Sequence, residues 1–472
     1  MKRKKILFNF YFEKLGKNYF ISNDSGDWAV VGEKEFAGFS KRDVSEGTVS
    51  GKILRGNFVK NRMDFESYFK KARSLKEFVF GPPSLHIIVI TLKCNHFCRY
   101  CRATSESFER KDMTWATARK SLDFIFSTPN ENITIEFQGG EALINWPVLK
   151  KSIDCALKMN AGLKKNLNIT VVTNLSLMTA DKLDYLLKRG VSICTSLDGP
   201  AGIHDRNRVF HGGSSHALAR KWLKEIFYRV GKNPGSAADS LPSALMTTTK
   251  FSLSRPKEIV DEYRKAGLGG IFLRPLSPIG FAKSVWKDIG YQPEDFLSFY
   301  EKALKYVLEI NKKGEKFVER NAAIKLKKMI FKKDPNFLDL RSPCGGAVGQ
   351  LAYDHDGSIY TCDEGRMAGA SGEALFKVGN VFKSSYKDVI SSPNARLCLM
   401  CSCLENQILC HRCAFKPYCG VCPVHNYEVS GNPWGAAAAS LGWCGMEKGI
   451  FKILVKALAD KENEKIFKGW FD

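Results

Sequence analysis

The string CNHFCRYC, set directly after the apolar run Leu85–Leu92, constrains this 472-residue chain more than any other feature. It places Cys94, Cys98 and Cys101 in a CxxxCxxC triplet. Full coverage of a four-iron cluster takes four cysteines, so three leave one iron open to a second ligand. A zinc knuckle is the competing reading, although zinc sites favour paired cysteines and four ligands. A triplet at the end of a strand also needs a scaffold that holds strand ends together.

The chain around the triplet offers that scaffold. From Leu85 onward, short apolar runs alternate with helical patterns. Strands are expected at Leu85–Leu92, Ile133–Phe137, Ile169–Thr173, Val191–Leu197, Ala244–Thr248 and Ile271–Leu273. Helices are expected at Trp115–Phe126 and Pro147–Met159, with Pro147 suited to a first turn. Such alternation implies an α/β fold of parallel strands with crossover helices, with function at the carboxyl ends of the strands. Glu294–Ile310 carries a helical apolar stripe, read as core. Before this region, residues 1–80 show two short strands around a turn at Asn23–Gly26 and helical patterns near Glu33 and Phe65–Phe80. Gly81-Pro82-Pro83 breaks the chain there.

The chain carries 15 cysteines, ten of them between Cys344 and Cys444. The basic opening MKRKK leads into no apolar signal core, and no stretch is long enough to span a membrane. A cytoplasmic protein is therefore expected, and its clustered thiols read as metal ligands rather than disulfides. The net charge of +23 favours acidic partners. It is spread along the chain: residues 1–80 hold 17 Lys/Arg against 10 Asp/Glu. Cys155 and Cys194 lie in apolar patterns and read as core thiols.

CxxxCxxC after a strand, with Tyr100 before the last cysteine, resembles the radical S-adenosylmethionine (SAM) enzymes. FQGGEAL resembles their GGE motif, with Ala142 where many relatives have proline. VVTNL resembles their TNG ending, with Leu175 in place of glycine. The resemblance implies a partial (β/α)6 barrel and a [4Fe–4S] cluster on Cys94, Cys98 and Cys101 whose open iron binds SAM. It implies that Tyr100, Gln138, Gly139, Gly140, Glu141, Asn174, Ser196 and Arg208 contact the cofactor. Glu141 would receive the SAM amino group, Ser196 would meet the ribose and Arg208 would approach the carboxylate. Arg274, at the end of FLRPLSP, invites either substrate contact or structural pairing.

The C-terminal third, with PCGGAVGQLAYDHDGSIYTCDEG and CHRCAFKPYCGVC, resembles the SPASM extension of peptide-modifying relatives. That extension binds two auxiliary [4Fe–4S] clusters. The resemblance assigns Cys344, Cys362 and Cys422 to the first, and Cys410, Cys413, Cys419 and Cys444 to the second. Cys419 and Cys422 are separated by two residues where the common pattern has three. Cys398, Cys401 and Cys403 lie nearby, and the first cluster is left either with an open iron or with one of these as its fourth ligand. Asp363 matches the substrate base of anaerobic sulfatase maturases; a turn aspartate is the alternative.

The domain boundaries expected are 1–80, a winged-helix-like peptide-recognition module; 81–335, the barrel; and 336–472, the SPASM domain. FQGGEALINWP, RPLSPIGFA and CGVCPVHNY look most like the B-type radical SAM maturase of the His-Xaa-Ser repeat system. The function implied is SAM-dependent modification of a ribosomally made peptide or protein, with flavodoxin or ferredoxin as electron donor. Formylglycine formation on a sulfatase is the second enzyme reading. An RNA-modifying factor and a non-catalytic iron–sulfur scaffold are the readings from other classes. No aromatic-basic RNA module is visible, so nucleic acid is not the expected partner.

Overall fold

A computed structural model of the protein describes residues 9–40, 57–59, 64–101, 111–232, 241–279, 281–370, 372–435 and 442–471. Near the start, Tyr11–Leu15 (β1), Asn18–Ser22 (β2) and Trp28–Gly32 (β3) form an antiparallel sheet in chain order. The expected turn joins β2 to β3. The Asn23 Oδ1 atom accepts from Ser25 Oγ at 2.7 Å and Asp27 N at 3.1 Å, and Gly26 takes a φ of 75° that suits glycine. Helices Glu33–Ser40 and Phe65–Lys76 follow. β1 escaped the sequence reading because its polar residues, Glu13 and Lys14, interrupt the apolar pattern.

One face of this sheet is buried against the cysteine-rich region rather than solvated. Phe20 stacks on Phe415 at 5.0 Å, and Phe415 on Phe451 at 5.2 Å. Ser22 Oγ donates to the Ala414 carbonyl at 2.6 Å, and Tyr418 OH to the Gly26 carbonyl at 2.9 Å. The N-terminal sheet thus shares a core with the segment that carries Cys413 and Cys419.

The central sheet runs through Leu85–Thr91 (β4), Asn132–Gly139 (β5), Asn166–Val172 (β6), Ser192–Ser196 (β7) and Ser243–Leu245 (β8). All five are parallel and adjacent in chain order. Helices Trp115–Ser127, Trp146–Leu163 and Ala180–Lys188 cover the outside, where Ile133, Ile135 and Phe137 pack with Leu122, Leu149 and Ile153. Alternate positions of β5, Thr134, Glu136 and Gln138, consequently turn to the other face of the sheet.

The expected sixth strand differs. Only Gly270–Ile271 is extended, and it pairs with Val318–Glu319 instead of β8. Glu319 explains this: its buried carboxylate accepts from Leu273 N at 3.1 Å and Tyr300 OH at 2.7 Å, drawing the segment towards helix Pro293–Lys312. The link to β8 is kept by Thr248 N donating to the Arg274 carbonyl at 3.0 Å.

On the other side of β4, Gln350–Tyr353 (β9) pairs in parallel, and Ser358–Tyr360 (β10) and Lys377–Asn380 (β11) continue antiparallel. The order across the sheet is β8-β7-β6-β5-β4-β9-β10-β11. This welds the cysteine-rich third onto the barrel, with Cys362 two residues beyond β10. The α/β class holds. Among the described residues no helix is long and apolar enough to cross a membrane.

Candidate active site and cysteine centres

Two glycines place the cysteine loop. A Cβ on Gly139 would lie 2.2 Å from the Thr91 carbonyl oxygen, and one on Gly140 would lie 2.2 Å from that of Lys93 and 2.9 Å from Cys94 Cβ. Only glycine permits this approach. The contact is closed by Gly140 N donating to Thr91 O at 3.0 Å and Glu141 N to Lys93 O at 2.8 Å. His96 N then points at Cys94 Sγ from 3.4 Å. Burial pushes the Cys94 thiol up to about 12 and raises Cys98 as well. Buried thiolates of this kind are favoured once a metal supplies the positive charge.

Behind the loop, Glu141 ties two strand ends together. Its carboxylate accepts from Leu143 N at 2.9 Å, Thr173 Oγ1 at 2.6 Å and Asn174 N at 2.7 Å. Burial raises its pKa, while these three donors oppose the rise. Asn174 Nδ2 donates to Asn95 Oδ1 at 3.0 Å, linking the end of β6 to the cysteine loop. Leu175 adopts a φ of 63°, the left-handed region where glycine costs least.

Asp198, unassigned from the sequence, is a hub. It accepts from Tyr100 OH at 2.6 Å, Arg208 Nη2 at 3.2 Å, Asn207 Nδ2 at 3.2 Å and Thr247 N at 3.1 Å. Burial opposes the charge on Arg208, but Asp198 and Tyr100 hold its pKa above the ordinary value. The Arg208 guanidinium lies 5.3 Å from the Tyr100 ring centre, and its buried Nε has no hydrogen-bond partner. A buried donor left unpaired is costly and marks a place for an acceptor.

These residues meet at a cavity of about 270 Å³. Tyr100, Cys101, Gln138, Gly139, Arg208 and Asp363 line it, with Thr247, Arg274 and Met367. Gly140, Glu141, Asn174 and Ser196 are not in its wall: the first three support it as described, and Ser196 ends β7 beside Leu245. Asp363 opens helix Asp363–Ala370, and Arg366 Nε donates to its Oδ1 at 2.9 Å. Arg274 Nη2 lies 3.9 Å from Glu364 Oε1, a loose pairing at the same wall. The TSLDGP string, which contains Asp198, was the available signal for the hub.

The C-terminal thiols gather in two places. Cys410, Cys413, Cys419 and Cys444 line one small apolar cavity with Phe415 and Phe451. Cys344 and Cys362 are buried and Cys422 is half-buried, and the three lie close enough that Cys422 and Cys344 raise the pKa of Cys362 after burial and Glu364. Backbone amides point at four of these sulfurs: Gly346 N to Cys344 at 3.4 Å, Gly365 N to Cys362 at 3.3 Å, Phe415 N to Cys413 at 3.4 Å and His425 N to Cys422 at 3.4 Å. Among the described residues no three His, Cys, Asp or Glu side chains form a site for a single metal ion. Cys194 is buried in β7, and half-buried Cys155 lies 3.6 Å from Arg119 Nη1.

Residues 88–225 match the radical SAM superfamily, so the chain has an α/β fold with a radical SAM domain. That class implies a [4Fe–4S] cluster and SAM. The radical SAM cyclopropyl synthase TigE of Paramaledivibacter caminithermalis is 31% identical over 132 residues, covering 25% of this chain and 27% of that protein. The chain thus spans about a quarter of that curated relative, and 44% of an uncharacterized protein of Methanocaldococcus jannaschii that is 28% identical over 132 residues. A cysteine-type anaerobic sulfatase-maturating enzyme of Clostridium novyi is 21% identical over 69% of this chain and 83% of its own. The fold is similar to that of anSMEcpe with bound AdoMet, at a TM-score of 0.67 and 17% identity over 81% of this chain and all of that one. It is also similar to SuiB of Streptococcus suis bound to its precursor peptide SuiA, at 0.54 and 15% identity over 93% and 99%.

Proposed function

We propose that this protein is a radical SAM enzyme that modifies a ribosomally made peptide or protein in the cytoplasm, drawing electrons from a flavodoxin or ferredoxin. The observation that carries this is the shared cavity: Cys101, the Gln138-Gly139 strand end and Arg208 face the same space as Asp363 from the cysteine-rich region. The residues fit the groups. Amides aimed at sulfur suit cluster thiolates, and the unpartnered Arg208 Nε suits an anionic end of SAM. When bound, the cluster and SAM supply the one-electron reduction and the hydrogen-abstracting radical.

The chain's own residues do the rest. Cys94, Cys98 and Cys101 would hold the cluster, and Gly139, Gly140 and Glu141 keep their loop in place. Tyr100 and Arg208, fixed by Asp198, would orient SAM. Asp363, held by Arg366, would take a proton from the oxidising substrate group. Cys344, Cys362 and Cys422, and Cys410, Cys413, Cys419 and Cys444, would hold two auxiliary clusters. Residues 1–80 would capture the peptide, and the strings FQGGEALINWP, RPLSPIGFA and CGVCPVHNY support a maturase like that of the His-Xaa-Ser system.

Co-expression with candidate short peptides from neighbouring reading frames, followed by mass spectrometry, tests this reading. A mass change with the native enzyme, lost in Asp363→Asn while 5′-deoxyadenosine still forms, is expected. SAM cleavage with no peptide modified by either protein would refute it. Formylglycine formation is the second reading, favoured by Asp363 in the cavity and the similarity to the Clostridium novyi enzyme. A sulfatase peptide whose serine loses two hydrogens to become the aldehyde, or whose cysteine does so with hydrolytic loss of its sulfur as sulfide, would select it.

A further inference from the structure

Three of the four expected corners of the first auxiliary site are Cys344, Cys362 and Cys422, and a fourth thiol stands against them. Cys398 lies on helix Pro393–Ser402, one turn before Ser402. Both residues face the Cys344 loop. Ser402 Oγ accepts from Cys344 N at 2.8 Å and donates to the Cys398 carbonyl at 2.7 Å. A Cβ on Gly346 would come within 3.2 Å of Cys398 Sγ, so the absence of a side chain there opens the loop to this sulfur. Cys398 is 2% exposed, as enclosed as Cys344 and Cys362 at 3% each.

The neighbouring thiols are placed differently. Cys403 sits beyond the helix, with Sγ 3.2 Å from Glu405 Oε2. Cys401 is fully buried, and its carbonyl is taken by Gln407 Nε2 at 2.6 Å. Of the three, the thiol that stands against the Cys344 loop is Cys398, beside Gly346.

We infer that Cys398 supplies the fourth thiolate to the cluster held by Cys344, Cys362 and Cys422, so that this cluster has no iron left open for substrate. The inference rests on the three-cluster reading above. A fully ligated cluster resists loss of iron, exchanges no exogenous ligand at an iron, and is suited to passing electrons rather than binding a peptide.

The test uses the full-length protein with Cys94, Cys98 and Cys101 replaced by Ala, so that only auxiliary clusters load. Iron content is measured, and electron paramagnetic resonance is recorded after reduction and after mild ferricyanide oxidation. The expected result is two clusters per chain, with no three-iron signal on oxidation. Adding Cys398→Ala should produce a three-iron signal at up to one per chain; Cys401→Ala and Cys403→Ala should not. Cys398→Ser, which keeps the side-chain size, should shift the reduced signal of one cluster. Spectra of both Cys398 variants unchanged from the parent, or the same change arising from Cys401 or Cys403, would overturn the assignment. Parent protein that binds no iron would instead overturn the three-cluster reading, and this inference with it.

Discussion

Gly140→Ala is expected to damage the triplet site specifically. The added carbon would lie 2.2 Å from the Lys93 carbonyl oxygen, 2.5 Å from its carbon and 2.9 Å from Cys94 Cβ. All three neighbours are fixed parts of the chain entering the cysteine loop, with no flexible side-chain end to move aside. Restoring ordinary contact demands a backbone displacement of about 1 Å. That breaks Gly140 N to Thr91 O and Glu141 N to Lys93 O, bonds of 3.0 and 2.8 Å. Two lost hydrogen bonds at about 1 kcal/mol each, with about 1–3 kcal/mol of overpacking, give a destabilisation of about 3–5 kcal/mol. Chemical denaturation of the apo protein measures this, and iron analysis with electron paramagnetic resonance separates the clusters. The triplet cluster should be lost or displaced from its SAM-binding geometry, with the auxiliary signals retained. Native stability together with native SAM cleavage in Gly140→Ala would refute the close-approach argument.

Asp198→Ala should strand the buried Arg208 charge and cost about 3–5 kcal/mol in apo-protein denaturation; a change below 1 kcal/mol would show that the hub is dispensable. Phe20→Ala should cost about 3–5 kcal/mol by opening the core shared with Phe415, Tyr418 and Phe451. Its iron loss should fall on the second auxiliary cluster, and unchanged iron would separate the N-terminal sheet from that site. Acid sensitivity should carry the signature of His86, whose ring burial holds at about 3. The unfolded ring titrates near its ordinary value, so the folded state loses about 1.4 kcal/mol per pH unit as pH falls from about 6.5 towards 3. His86→Gln should remove this slope relative to the native chain. Glu136 works in the opposite sense: burial, then Asp363, raises its carboxyl to about 7, so folding takes up a proton as pH falls. Glu136→Gln should therefore steepen the acid loss of stability; parallel pH profiles for native and variant proteins would contradict either assignment.

What was legible in the sequence was local. Five strands and their helices announced themselves because an apolar run of β-branched residues, such as LHIIVIT or NITIEFQG, is decided by neighbours. The CxxxCxxC spacing at Cys94, Cys98 and Cys101 was legible because it is itself local. Pairings over long chain distances were not. Glu319 drawing Leu273 away from β8, and Gln350–Tyr353 joining β4, depend on partners 46 and more than 200 residues away in the chain. The β9–β10 hairpin did leave a trace, since LAY and SIY flank the turn at Asp356-Gly357, where Gly357 has a φ of 86°. Asp198 was in plain view, but its four donors come from three separate segments. The docking of the N-terminal sheet on the cysteine-rich core left no sequence mark at all: Phe20 reads as an ordinary strand residue until Phe415 is placed beside it.

The central claim is that Cys94, Cys98 and Cys101 generate the reactive species from SAM. Its most direct test is anaerobic quantification of 5′-deoxyadenosine from SAM by the reconstituted, dithionite-reduced protein, against the variant with all three cysteines replaced by Ala. The native protein should form 5′-deoxyadenosine, and the variant should form none while keeping its auxiliary iron. Equal 5′-deoxyadenosine from both proteins, or none from a native protein loaded with iron, would contradict the claim.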